Sequence, residues 1–243
     1  MKNFFELPEA EDLNDLIKYI NRALKMDPEG GVRLRAYGDV LTVYVAPTYS
    51  LKLAESAPLI LGLRTMALKQ PNEFDLAYPI TEFAALLQPD AAGETEKNFS
   101  LLSRLAKVTG QTGSTTGVSL PESDYTVHWS NETPTRTGWE LGGYFSQEEL
   151  TAAATRGVAA VAETLPASVG GPLAARIRAE IWSRSIDYKF PIPAGAAFVA
   201  AGLGFLLEGE QVPWYVSGEW LRLSPSHGHV LSKFATDYVS TAS

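Results

Sequence analysis

Residues 212–224 read VPWYVSGEWLRLS. Apolar and aromatic side chains on both sides of Ser217-Gly218 predict two antiparallel strands joined by a tight turn. Trp214 and Val216 fall on one face of the first strand, and Pro213 predicts that this strand lies at a sheet edge. A further short strand is expected near 229–233.

Upstream, FPIPAGAAFVAAGLGFLL (190–207) is an uncharged run of 18 residues. It reaches the lower length for a membrane span. However, Pro191 and Pro193 confine its helical part to about 194–207, and no basic cluster flanks it. The reading is a central buried helix. Gly202 and Gly204 then serve close packing rather than a dinucleotide fingerprint.

Two more helices precede it. Ser146-Gln147-Glu148-Glu149 is a capping box, with Phe145 and Leu150 placed as a hydrophobic staple. This helix is expected to reach Glu163 and to bury Leu150, Ala153, Ala154, Gly157, Val158 and Val161. Gly170-Gly171-Pro172 opens the next, expected to end near Ser185.

In the first half, Leu13, Leu16, Ile17, Ile20 and Leu24 form a helical stripe over 9–25. Pro28-Glu29-Gly30-Gly31 stops it. VRLRAYGDVLTVYV (32–45) alternates around Tyr37-Gly38-Asp39 and predicts a second hairpin. A strand is expected at 59–68, a short helix at 82–88 capped by Thr81, a surface helix at 94–109 and a strand near 125–129. Hairpins and helices that do not alternate regularly define an α+β class, with antiparallel hairpins packed against helices. The two hairpins are alike in outline, which fits either two similar lobes or the common physics of hairpins. The expected division is a lobe at 1–109, a linker or mobile loop at 110–117 (GQTGSTTG), and a lobe at 118–243.

Several pieces resemble an uncharacterised actinobacterial protein family of unknown function: TGWE (137–140), PAGAAFVAAGLGFL (193–206), GEWLRLSPSHGHVL (218–231), LPEAEDLNDLI (7–17) and VRLRA (32–36). None is a catalytic signature, so the resemblance implies no functional residue.

The chain of 243 residues has no cysteine and a formal charge of −8. Disulfides, thiolate chemistry and cysteine-ligated metals are excluded. Both halves are net acidic, whereas phosphate backbones demand clustered Lys and Arg, so nucleic acid is not an expected partner. Acids at Glu6, Glu9, Glu11 and Asp12 interrupt any signal-peptide core, which places the protein in the cytoplasm and off the membrane.

Candidate chemistry is sparse. His227 and His229 share a face of an extended segment, but with His128 distant the pattern reads as a polar turn, and no metal or cofactor is expected. Nucleophile-elbow and Walker motifs are lacking. Whether the chain is an enzyme is left open. The leading reading is a non-catalytic interaction protein for an unknown protein partner or for itself, as in a homodimer. The alternative is an enzyme or receptor for a small anionic ligand. It would use Trp139 and Arg136, or the hairpin end with Trp220, Arg222, Ser224, Ser226, His227 and His229. There Arg222 offers a planar fork for carboxylate or phosphate, the serines offer hydroxyls, and Trp220 shares the face of Arg222.

Overall fold

A computed structural model describes residues 3–48, 58–88, 116–132, 134–165, 170–186 and 192–233. Its frame is a six-stranded antiparallel sheet in the order β2-β3-β8-β7-β6-β5. The strands are β2 (Gly31–Val45), β3 (Leu59–Pro79), β5 (Glu140–Ser146), β6 (Gln211–Ser217), β7 (Trp220–Leu223) and β8 (His229–Lys233). A separate pair joins β1 (Asn3–Glu6) to β4 (Gly117–Leu120). The helices are α1 (Ala10–Met26), α2 (Ile80–Leu87), α3 (Gln147–Thr164), α4 (Gly171–Ser183) and α5 (Ala194–Gly202). The α+β class is therefore as expected. Each half runs strand, helix, then antiparallel strands, and the halves join where β3 pairs with β8, Leu59 opposite Lys233 through Leu63 opposite His229.

Alternation divides the sheet into two faces. Val32, Leu34, Val43, Ile60, Val212, Leu221, Leu223 and Val230 point to the helices and form the main core. The apolar run of α5 explains its place there: Gly195, Ala196, Ala197, Val199 and Ala200 are buried against strands and neighbouring helices. The helix is shorter than the expected 194–207. Leu203 caps it, and Gly204 takes φ +68°, the left-handed conformation that ends helices. No helix among the described residues is long and apolar enough to cross a membrane.

The second face is covered by an irregular strap, residues 121–132 and 134–139. Its Val127 and Trp129 pack with Leu59, Leu61, Leu63, Ala77, Trp220 and Leu231 in a second core. Tyr78 Oη donates to Pro121 O (2.6 Å) and Ser123 Oγ to Ala77 O (2.7 Å), pinning one end. The strand expected at 125–129 is absent. Val127 and Trp129 instead open consecutive turns, closed by Ser130 N donating to Val127 O (2.9 Å) and Glu132 N to Trp129 O (3.0 Å), which set both side chains against the sheet.

Other expectations need correction. Residues 32–45 are not a hairpin but one strand, β2, paired with the long β3. The ladder is interrupted at Tyr37-Gly38-Asp39: Gly38 lies opposite Asn72 and Val40 opposite Ala67, so Asp39 alone on β2 faces the four residues Leu68–Pro71 of β3. Gly38 takes φ +57° at this irregularity, the positive φ that also gives the segment its turn-like sequence. The β6–β7 turn is Gly218-Glu219, since Ser217 pairs with Trp220. Strand β6 is internal. Pro213 is tolerated there because its carbonyl accepts from Ser224 N (2.9 Å), which puts its missing N–H on the side where β7 has already ended at Leu223. Gly142, at the bulge in β5, admits the Trp214 ring. Helix α2 begins after Pro79, and Thr81 does not cap it.

The Ser146–Glu149 box is present, with Ser146 N donating to Glu149 Oε2 (2.7 Å) and Glu149 N to Ser146 Oγ (3.2 Å). On α3, Val158 is exposed rather than buried. The 94–109 helix and residues 110–115 of the expected linker lie outside the described residues. Thr116 O accepts from Leu7 N (3.1 Å), beside the β1–β4 pair.

A Cβ at Gly195 would lie 2.4 Å from Ile60 Cδ1 and 3.3 Å from Trp182 O. Gly195→Val should therefore destabilise by about 1–3 kcal/mol through overpacking. Urea unfolding that shows an unchanged midpoint would refute this close approach of α5 to the sheet.

Candidate functional site

Alternation on the strap-covered face places His229, Leu231 and Lys233 of β8 beside Trp220 and Arg222 of β7. Tyr215 of β6 follows, opposite Arg222 in register. The strap brings Trp139 over this row. Its indole N–H donates to Thr135 O (2.9 Å), and Thr135 Oγ1 hydrogen-bonds Ser217 Oγ (2.9 Å). Arg222 Cζ consequently lies 4.6 Å from the ring centroid of Trp139 and 4.6 Å from that of Tyr215. Cations are attracted to such ring faces by the aromatic quadrupole.

The expected site residues separate. Trp139, Arg222, Ser224 and His229 come together. His229 Nδ1 hydrogen-bonds Ser224 Oγ (3.1 Å), and Ser224 N donates to Pro213 O (2.9 Å). Trp220 is buried in the second core, two residues from Arg222 on the same face. Arg136, from the same loop as Trp139, instead lies over Tyr37, 4.3 Å from its centroid. Ser226 is held elsewhere: its N and Oγ both donate to Glu210 Oε1 at 2.6 Å. His227 is exposed, and its carbonyl accepts from Arg64.

Sequence reasoning missed Tyr215. A turn placed at Gly218-Glu219 would have set it opposite Arg222; the one-residue slip to Ser217-Gly218 sets Trp220 there instead.

Electrostatics distinguish Arg222 from its neighbours on this face. Arg33 is bidentate to Asp75 (2.8 and 2.7 Å), and Arg35 reaches the same carboxylate at 3.0 Å. The hydrogen bond to Asp75 pushes the Arg33 pKa up. Lys233 is held by Glu132 (2.6 Å) and Glu219 (3.5 Å), and its pKa is raised, chiefly by the Glu132 hydrogen bond. The Arg222 pKa is instead pushed down by burial, with Tyr215 opposing, and its Nε is buried without a hydrogen-bond partner. Burial, then the Arg222 charge, lowers the His229 pKa to about 4.

A groove of about 380 Å³ lies apart, between α1 and the segment after α5. Its cations are already engaged. Arg64 and Lys18 meet Asp15 at 3.1 and 3.3 Å, and Arg22 donates to Leu203 O at 3.0 Å.

Comparison with known proteins finds two family matches. Residues 1–107 match a domain of unknown function, DUF8010, and residues 134–237 match a second, DUF8185. Both halves are thus similar to domains whose function is unknown. The resemblance to an uncharacterised family accordingly holds in each half. No curated protein matches.

Among solved structures, DNA polymerase III subunit beta from Borrelia burgdorferi aligns with a TM-score of 0.50 and 8% identity, over 95% of this chain and 64% of that one. The DNA polymerase sliding clamp from Caulobacter crescentus aligns with a TM-score of 0.46 and 11% identity, over 97% and 66%. The chain spans less than two thirds of the length of these proteins, and at such identity the likeness is one of fold. It gives no support to the expectation that nucleic acid is not a partner.

Because His229 titrates lower when folded than its ordinary 6.5, the unfolded chain binds the extra proton first. Its contribution to stability is full above about pH 6.5 and is lost as pH falls toward 4. Between pH 7.5 and 5 the loss should be about 2 kcal/mol. His229→Gln should flatten that part of the stability profile in urea melts; an unaltered profile would show that His229 is not held neutral.

Proposed function

We propose that the protein is a non-catalytic interaction protein of the cytoplasm that associates with itself through the edges of its sheet. The supporting observation is what those edges present. Strands β2 and β5 lie at the two ends of the strand order. Each is interrupted at glycine, β2 at Gly38, where four residues of β3 face one of β2, and β5 at the Gly142 bulge. Each interruption sets two large apolar residues, three apart in sequence, on the same face. On β2 these are Tyr37 (63% exposed) and Val40 (44%); on β5 they are Leu141 (52%) and Tyr144 (59%).

Edge strands that avoid pairing carry charge, especially Lys, or are short. Here β2 spans 15 residues, and its interrupted region offers Tyr and Val to solvent. Paired apolar side chains at both ends of one sheet suit contact between copies, with β2 of one meeting β5 of the next or each edge meeting its own kind. The former closes a ring or grows a filament; the latter gives a twofold dimer.

Sedimentation velocity across a hundredfold concentration range should reveal reversible self-association. Tyr144→Lys with Leu141→Lys should shift the equilibrium to monomer by about tenfold or more in dissociation constant, with the fold preserved by circular dichroism. A wild-type chain that stays monomeric throughout, or equal association both in this variant and in Tyr37→Lys with Val40→Lys, would sink the proposal.

A further inference from the structure

We propose that Arg222, with Ser224 and His229 beside it, forms a binding site for an oxyanion, a carboxylate or a phosphate. The site is independent of the sheet edges. Among the described residues, no carboxylate pairs with the Arg222 guanidinium. Arg33, Arg35 and Lys233 on the same face each have a carboxylate within 3.5 Å. Arg222 has the rings of Trp139 and Tyr215 instead. Aromatic faces attract a cation, but they accept no strong hydrogen bond in the plane of the guanidinium. Its Nε–H is buried and unpaired. A buried unsatisfied donor costs about 1–3 kcal/mol, and more when charged. Such a group calls for an acceptor, and none of the described residues supplies one.

The surroundings specify that acceptor. Arg presents in-plane donors in a fork that matches two oxygens of one carboxylate or phosphate. When His229 Nδ1–H donates to Ser224 Oγ, the single hydroxyl proton of Ser224 is left to donate to the anion. No carboxylate of the described residues lies against Arg222 to compete. Carboxylates elsewhere on the face are engaged by other cations: Asp75 by two arginines, and Glu132 and Glu219 by Lys233. The backbone beneath is the β6–β7–β8 ladder, so the donors are preorganised and little ordering entropy opposes binding.

His229 supplies a readout that a purely structural Arg222 would not move. The ring senses the Arg222 charge. An oxyanion seated on Arg222 would offset that charge and favour the imidazolium. The groups facing His229 are Arg222 and Ser224, with Leu63 opposite it across the strand pair.

The test is an NMR titration of the full-length chain with sodium phosphate and, separately, sodium acetate, with sodium chloride at equal ionic strength as the control. The proposal expects a saturable shift of the Arg222 Nε–H resonance and a rise of the His229 ring titration from about 4. Arg222→Met, which keeps the packing and removes the fork, should weaken binding about tenfold or more. Arg222→Lys, which keeps the charge, should fall between. Saturation by phosphate alone identifies a phosphate site, and saturation by acetate a carboxylate site. No saturable shift with either anion in the wild-type chain would overturn the proposal, whether or not the variants fold. Equal affinity in folded Arg222→Met would overturn it too.

Discussion

The pairing of β3 with β8 is the constraint on which everything else rests. It joins a strand of the first half to a strand of the second across more than 160 residues of sequence. It also carries both cores at once. Ile60 and Val230 face the helices, while Leu59, Leu61, Leu63 and Leu231 face the strap. Burial on both faces fixes the register, because a one-residue slip would exchange every side chain between the two cores. Tyr19 of α1 reinforces the neighbouring strand pair: its buried hydroxyl lies 3.2 Å from Val43 O and 3.0 Å from Gly62 O. Gly62 leaves the room that Leu203 occupies.

A sheet fixed in this way leaves its consequences at its ends and under the strap. At the ends, no strand among the described residues pairs further with β2 or β5, and both carry exposed apolar side chains. Under the strap, cations lie in an apolar, aromatic setting that makes charge pairing matter. Arg33, Arg35 and Lys233 resolve this within the chain; Arg222 does not. Its charge in turn disfavours protonation of His229, so the local geometry of one hairpin links an unpaired cation to a neutral imidazole.

Much of this was legible locally. The Ser146 capping box, the helix at 10–26, the strand at 229–233 and the apolar helix after Pro193 follow from spacing and composition within a few residues. So does the grouping of Arg222, Ser224 and His229, because a hairpin and its following strand keep i, i+2 neighbours together. What was not legible depends on distant partners. Tyr37-Gly38-Asp39 has turn chemistry, and only the length of β3 makes it an interruption within one strand. Pro213 has edge chemistry, and only the end of β7 at Leu223 makes it tolerable inside the sheet. Arg136 and Trp139 lie three residues apart yet meet different strands, which no local rule separates. Ser226 is claimed by Glu210, 16 residues away.

Self-association through the sheet edges is the claim from which the functional reading follows, and amide hydrogen exchange tests it at the residues concerned. Exchange of the β2 and β5 amides should slow as protein concentration rises, while β3 and β8, paired on both sides, stay constant. Edge protection that is the same at every concentration would contradict the account.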